Sequence, residues 1–425
     1  MAFNDTLVIR RLTCPEDCRA CVEACMNKRG LPAIKAVHLP EVGFHSIVVC
    51  NQCSNPKCAE ICPTGAISKN ETNGTVTIDS DKCVGCGLCT LVCPYGGIYY
   101  DYTQEKSFKC DRCYEEEPQC AAACPYGVLS FARSHQVYLH FHDEDLLASA
   151  TGLCAGCPAE LAARVMLRVL GRKVITFRTP GCQPIFISRV SSIPTLMTNI
   201  ASSMTGASRY LRKIGRDDVI CACFVGDGAT ADVGFQPLSG AAGRGEHILY
   251  ICNDNEAYMN TGIQSSSTTP LGAWTTTTWV GKRSRGKGEA GKYMPLIMLM
   301  HNVSYVATAT VAYLEDYVLK LEKAKEAVKH GMAYLHLHTP CPTGWRAPAD
   351  KSIELSRLAV ETNYFPLWEA EDGRLHLTHR VDKPKPLKEL TKLQGRFSHL
   401  TKEELEQLQQ IVDERFALIE RLASS

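Results

Sequence analysis

The pattern of apolar and polar positions changes character near residue 145. Beyond it, apolar strand-like runs alternate with helical segments: LAARVMLRVL (161–170), KVITF (173–177), DVICACFVGDG (218–228) and EHILYICNDN (246–255). Strand, helix, strand order predicts an α/β domain with a mainly parallel sheet. In such sheets ligands bind beyond the carboxyl ends of strands, so those ends are where chemistry is sought. Toward the end, Leu405, Leu408, Val412, Phe416 and Ile419 recur at helical spacing. They follow Thr401 and Glu404, a T-x-x-E capping-box pattern, and together these predict a packing helix. No apolar run approaches the ~20 residues of a membrane span. PLIMLM (295–300) is far too short.

Before residue 145 the pattern is set by cysteine. Sixteen of the 23 cysteines fall into four groups: Cys14, Cys18, Cys21, Cys25; Cys50, Cys53, Cys58, Cys62; Cys83, Cys86, Cys89, Cys93; and Cys110, Cys113, Cys120, Cys124. Three of the fourth members open a repeated phrase: CPTGAI at 62, CPYGGI at 93 and CPYGVL at 124. In two-cluster ferredoxins three thiolates of a tight loop hold one iron–sulfur cluster, and the cysteine before proline reaches the neighbouring one. Zinc is the alternative, since CxxC pairs also bind it. Zinc ribbons, however, pair CxxC with a distant CxxC and do not repeat a triplet followed by CP.

Length and composition fit this division. A chain of 425 residues, 45% hydrophobic and 21% charged, is long enough for two or three domains with real cores. The 46 basic and 45 acidic residues nearly cancel, so no overall field draws it to nucleic acid or an anionic membrane. The pair Arg10 and Arg11 has no apolar h-region behind it and reads as surface charge, which points to the cytoplasm. In a reducing compartment 23 cysteines signify metal rather than disulfides.

Two strand ends are chemically loaded. VGDG sets Asp227 between Gly226 and Gly228, and NDNEAYMNTG presents Asn255. A carboxylate, an amide oxygen and a backbone carbonyl can join diphosphate oxygens in the octahedral shell that Mg²⁺ demands. The glycines admit a close phosphate. GDG by itself is a common turn; GDG followed by an Asn-rich strand end is the thiamine diphosphate pattern.

Residues 1 to about 140, with CVGCGLC (83–89) and KCDRC (109–113), resemble four-cluster ferredoxin subunits of oxidoreductases. The resemblance implies that the first and fourth groups exchange their last cysteines, as do the second and third. The first group departs from it, with three residues between Cys14 and Cys18 and no CP phrase. From about 150 onward, GDG, YMNTG, QSSSTTPLGAWTTTT (264–278), NYFPLWEAEDG (363–373) and LQGRFSHLT (393–401) resemble the thiamine-binding β subunit of the 2-oxoacid:acceptor (pyruvate:ferredoxin-type) oxidoreductases. The implied fold is an α/β thiamine-diphosphate-binding domain with a mainly parallel sheet (145–425), preceded by a small α+β poly-ferredoxin domain (1–140).

Carried over by position, Asp227, the Asn255 side chain and the Ala257 carbonyl are magnesium ligands. Asn260 and Thr261 lie against the cofactor near the reacting carbon, with Asn260 catalytic. The resemblance also gives a role to TGLCAGCPAE (151–160): Cys154 and Cys157, with Cys182 in TPGCQP and Cys341 in TPCPTGW, hold a fifth 4Fe-4S cluster. Cys182 or Cys341 could otherwise be buried thiols, the reading given to Cys221, Cys223 and Cys252 within their strands.

The implied activity is oxidative decarboxylation of a 2-oxoacid to an acyl-CoA, with thiamine diphosphate as electron sink and the clusters as outlet. Phenylglyoxylate is favoured as substrate, because the N-terminal multi-cluster extension resembles that branch; pyruvate or another aliphatic 2-oxoacid is the alternative. Partners implied are an α chain, which supplies the glutamate facing the aminopyrimidine, and further γ, iron–sulfur and flavin/NAD subunits, with ferredoxin or NAD as acceptor. A chain that only transfers electrons is a second class of reading, and Asp227, Asn255 and Asn260 weigh against it. A zinc-based nucleic-acid binder is a third, opposed by the balanced charge. KRSRGKG (282–288) reads as a solvated basic loop, and His135, His140 and His142 as surface residues.

Overall fold

The computed structural model describes residues 3–9, 15, 17–39, 41, 44–53, 55–70, 74–113, 118–126, 128–135, 141, 144–148, 151–182, 188–301 and 303–424. Arg10, Arg11, Cys14, His140 and His142 lie outside the described residues, as does the side chain of His135. The chain divides into two compact units, Met1–Leu139 and His140–Ser425.

The first unit is built from hairpins and single-turn helices around the cysteine groups. Antiparallel pairs join Ile34–Leu39 to Phe44–Val49, Ile67–Lys69 to Val76–Ile78, and Ile98–Asp101 to Lys106–Lys109. Phe3–Ile9 pairs antiparallel with Leu129–His135 and so brings the ends of the unit together. Helix Ala20–Arg29 packs on Gln119–Ala122, and Lys57–Glu60 packs on Leu88–Val92. First therefore meets fourth and second meets third. Two small apolar cores follow the same division. One gathers Cys21, Ile34, Ile47, Val49 and Leu129, the other Ile67, Val76, Cys89 and Ile98.

The second unit is organised by an eight-stranded sheet. Its strands are β1 (Val174–Arg178), β2 (Ser191–Pro194), β3 (Ile220–Gly226), β4 (Leu249–Asp254), β5 (Tyr305–Ala309), β6 (Ala333–His338), β7 (Trp368–Glu371) and β8 (Arg374–Leu377). The order is 2-1-3-4-6-5-7-8, parallel from β2 through β5 and closed by the antiparallel hairpin β7–β8. Strands β4, β5 and β6 are buried along their whole length, because helices cover both faces of a parallel sheet. Cys221, Cys223 and Cys252 sit within β3 and β4 as buried core thiols. Helix α1 (Pro158–Leu170) starts with Pro158 at its first position, where a missing N–H costs nothing. It turns its apolar face inward through Ala162, Val165, Met166 and Val169. The C-terminal helix α2 (Lys402–Ser424) buries Leu408, Val412 and Ile419. Its capping box is formed: the Thr401 N–H donates to Glu404 Oε2 at 2.8 Å, and the Glu404 N–H to Thr401 Oγ1 at 3.3 Å.

Candidate functional site

Four adjacent strands deliver the candidate residues of the second unit to one end of the sheet. Cys182 follows β1, Asp227 follows β3, Asn255 follows β4 and Cys341 follows β6. In the sheet these strands stand side by side as 1-3-4-6. The order reverses where β1 lies between β2 and β3, a switch point of the kind at which parallel sheets open a crevice. An open cleft lies there, lined by Cys182, Gly226, Asp227, Gly228, Asn255, Ala257, Asn260 and Thr261 among others. Every residue that the sequence assigns to thiamine diphosphate or its cation therefore lines the same cleft as Cys182.

At the cation position the donor set fits. One heavy atom of the Asn255 amide lies 3.2 Å from Asp227 Oδ1 and 2.9 Å from the Ala257 carbonyl oxygen. If that atom is nitrogen, it donates to both. If it is oxygen, three oxygens face one point with no proton between them, an arrangement that only a cation stabilises. Asp227 is buried, and burial together with the charge of Asp254 pushes its carboxyl well above the usual carboxylate range, against the Ser266 and Thr268 hydroxyls. Two buried carboxylates held this close call for positive charge nearby.

Behind the cation position runs a buried relay. The Thr268 hydroxyl lies 3.0 Å from both Asp227 Oδ2 and Asp254 Oδ1. His336 Nε2 lies 2.8 Å from Asp254 Oδ2, and its Nδ1 2.7 Å from the Tyr334 hydroxyl. Gly228 opens a π-helical turn, Gly228–Asp232. A Cβ on Gly228 would meet the Tyr258 ring at 2.2 Å, so this glycine makes room for Tyr258 on the cleft wall.

Cys154, Cys157, Cys182 and Cys341, four of the seven cysteines of the second unit, are neighbours. Burial raises Cys157, and the charges of Cys182 and Cys154 add to the effect. Burial pushes the Cys341 thiol up to about 11, with Cys157, Cys182 and Cys154 adding and the Gly344 N–H opposing. Cys182 is raised by burial and Cys154, while the Asn260 side chain opposes by hydrogen-bonding the thiol. The Cys154–Cys157 turn requires Gly156, whose φ is 73° and where a Cβ would meet the Ala349 carbonyl oxygen at 2.0 Å.

In the first unit the groups meet in the exchanged pattern. Burial pushes Cys58 up to about 11, Lys109 opposes, and Cys50, Cys53 and Cys93 add. Cys53 has Cys50 and Cys93 beside it in the same way. Burial pushes Cys120 up to about 12, with Cys110, Cys113, Cys25 and Cys21 adding. Cys62 shares a small core with Cys89, and Cys124 shares one with Cys21. Among the described residues no three His, Cys, Asp or Glu side chains converge as ligands of a single metal ion. A 4Fe-4S cluster asks for something else, one thiolate at each of several irons.

The basic loop departs from the solvated reading at Lys287, while Arg285 stays exposed and pairs at the surface. Lys287 is buried and donates to the Ser266 carbonyl at 2.7 Å, and Arg285 pairs with Glu404 of α2 at 2.7 Å. Both bind the loop to the fold, leaving Lys282 and Arg283 exposed. Several site residues carried no role in the sequence reading: Thr268, Asp254, His336, Glu256, Trp345 and Arg396. Thr268, Trp345 and Arg396 fall inside the quoted phrases QSSSTTPLGAW, TPCPTGW and LQGRFSHLT, which marked the right segments without marking the residues.

Comparison with known proteins matches these two chemistries. A 4Fe-4S dicluster domain model matches residues 42–134, and the thiamine pyrophosphate enzyme C-terminal TPP-binding domain model matches residues 179–337. The chain belongs to the 2-oxoacid oxidoreductase family, as an iron–sulfur subunit that carries the thiamine pyrophosphate domain. It is 43% identical over 427 residues, 96% of this chain and 95% of the other, to the NADH-dependent phenylglyoxylate dehydrogenase subunit beta of Aromatoleum evansii. It is 47% identical over 278 residues, 64% of this chain and 96% of the other, to the pyruvate synthase subunit PorB of Methanothermobacter thermautotrophicus. With the ketoisovalerate oxidoreductase subunit VorB of Pyrococcus horikoshii it shares 42% over 295 residues, 66% of this chain and 94% of the other.

Proposed function

We propose that this chain, with an α chain, carries out the oxidative decarboxylation of phenylglyoxylate to an acyl-CoA and passes the electrons out through five 4Fe-4S clusters. The observation that carries the reading is the shared cleft, in which Cys182 and Asn260 stand beside Asp227 and Asn255. The domain division proposed is 1–140 for four clusters and 145–425 for thiamine diphosphate, Mg²⁺ and the fifth.

Asp227, Asn255 and the Ala257 carbonyl would hold Mg²⁺, which would supply positive charge for the diphosphate; Gly226 and Gly228 line the cleft. Thiamine diphosphate supplies the electron sink that decarboxylation of a 2-oxoacid requires and that no side chain offers. Asn260 and Thr261, on the open rim of the cleft, orient the substrate end, and the Asn260 amide also reaches the Cys182 sulfur. Cys154, Cys157, Cys182 and Cys341 would hold a 4Fe-4S cluster, which would supply an electron acceptor beside the thiamine site. The sixteen N-terminal cysteines would hold the remaining four, whose chemistry is one-electron transfer toward a ferredoxin or, through a flavin subunit, NAD. The setting is cytoplasmic, and the chain alone is inactive, because the α chain completes the cofactor pocket.

Phenylglyoxylate is preferred to pyruvate because the relative bearing that name aligns with 96% of the chain, N-terminal cysteine groups included, whereas the pyruvate synthase relative aligns with 64%. The test is to mix the complex, purified without oxygen, with coenzyme A and either phenylglyoxylate or pyruvate, following bleaching of the iron–sulfur absorbance and the acyl-CoA formed. The reading expects bleaching and benzoyl-CoA with phenylglyoxylate. Acetyl-CoA from pyruvate alone would move the chain to the aliphatic branch.

A further inference from the structure

The turn that carries two of the cation ligands has a backbone that needs support. Glu256 lies between Asn255 and Ala257 with φ 65°, a left-handed conformation that side chains other than glycine rarely adopt. That turn is what aims the Asn255 side chain and the Ala257 carbonyl at one point. Glu256 is buried and held at both its backbone and its carboxylate. Its N–H donates to Asp254 Oδ1 at 2.8 Å, the Tyr364 hydroxyl donates to its Oε1 at 2.6 Å, and Arg396 forms an ion pair with its Oε2.

Arg396 does more than balance charge. Its guanidinium lies 3.8 Å from the centre of the Trp345 ring, and its Nε donates to Gln394 Oε1 at 2.9 Å. Trp345 is fully buried, and its indole N–H donates to the Asn255 carbonyl at 2.9 Å. The same tryptophan ends the turn that begins at Cys341: the Trp345 N–H donates to the Cys341 carbonyl at 2.8 Å, and the Gly344 N–H to Cys341 Sγ at 3.3 Å. One buried assembly therefore grips the cation turn on one side and a cluster cysteine on the other.

We propose that Glu256, Arg396 and Trp345 form a positioning lock that holds the Cys341 turn against the Asn255–Ala257 turn, fixing the separation between the thiamine site and its cluster. The proposal rests on the assignment of those two sites given above. None of the three touches the reacting atoms; each acts through the ligand turns.

The discriminating variant is Trp345→Phe in the whole complex, which keeps an aromatic ring under Arg396 and removes the N–H together with the second ring of the indole. A second, Glu256→Gln with Arg396→Met, removes both buried charges together and so leaves neither unpaired. Calorimetric titration of thiamine diphosphate with Mg²⁺ into cofactor-stripped complex, and rapid-mixing measurement of cluster reduction by phenylglyoxylate at saturating cofactor, are read side by side. Trp345→Phe is expected to weaken cofactor binding about fivefold or more, the worth of one ordinary hydrogen bond with the lost ring packing added to it. It should slow cluster reduction about tenfold or more even when saturated, since misplacement by about 1 Å is costly. The double variant should lose more on both counts. A Trp345→Phe complex that binds the cofactor and reduces its cluster as the wild type does overturns the lock alone. A wild-type complex without thiamine overturns the lock together with the site assignment beneath it.

Discussion

The two units solve the problem of placing ligands in opposite ways. In the first, cysteines close in sequence are gathered by short turns, and the apolar cores are so small that cysteines themselves fill part of them. In the second, ligands that are distant in sequence are brought together by a sheet with a large independent core. A unit that buries so little apolar surface depends on its cofactors for stability, whereas a sheet with both faces covered does not.

Removing iron should therefore give the largest contrast. Chelation of the oxidised protein should melt the region up to Leu139 and expose it to proteases, while the fragment from His140 onward stays resistant and keeps its circular dichroism. Simultaneous loss of both would show that the second unit also leans on the clusters. Asp227→Ala should come next, abolishing retention of thiamine diphosphate and lowering its affinity more than about 100-fold. Iron content should hold near the wild-type value, because the cysteine groups are untouched. Thr268→Val keeps the shape but removes the hydroxyl between Asp227 and Asp254; a loss of about 10- to 100-fold in cofactor affinity is expected by the same titration. Thr401→Ala should be the mildest, costing about 1 kcal/mol for the capping bond, seen as a small drop in the second unit's unfolding temperature with cofactors unchanged.

The contrast also explains what could be read from the sequence. Ligand spacing in the first unit is local, so the four groups, and the CP phrases of three of them, were legible directly. In the second unit, β3 and β4 were visible because their apolar runs end in VGDG and NDN. Strand β6, AYLHLH, was not, because histidines at alternate positions look like a solvated face. His336 and His338 are in fact buried, forming a polar layer behind the cation turn, and no pattern in one strand announces a partner such as Asp254 from another. Arg396 and Trp345 escaped for the same reason. Their roles exist only once residues some fifty to 140 positions apart meet. The basic loop reading failed at Lys287 because its acceptors are backbone carbonyls, which a sequence does not display.

The account stands or falls on whether one chain carries both the clusters and the thiamine. The most direct measurement is iron, acid-labile sulfide and thiamine diphosphate per chain in the complex purified without oxygen, with the iron and sulfide of partner subunits subtracted. About twenty irons with one thiamine is the predicted result, as five four-iron clusters require. About sixteen irons without thiamine would reduce the chain to an electron-transfer subunit, and zinc in place of iron would contradict the account altogether.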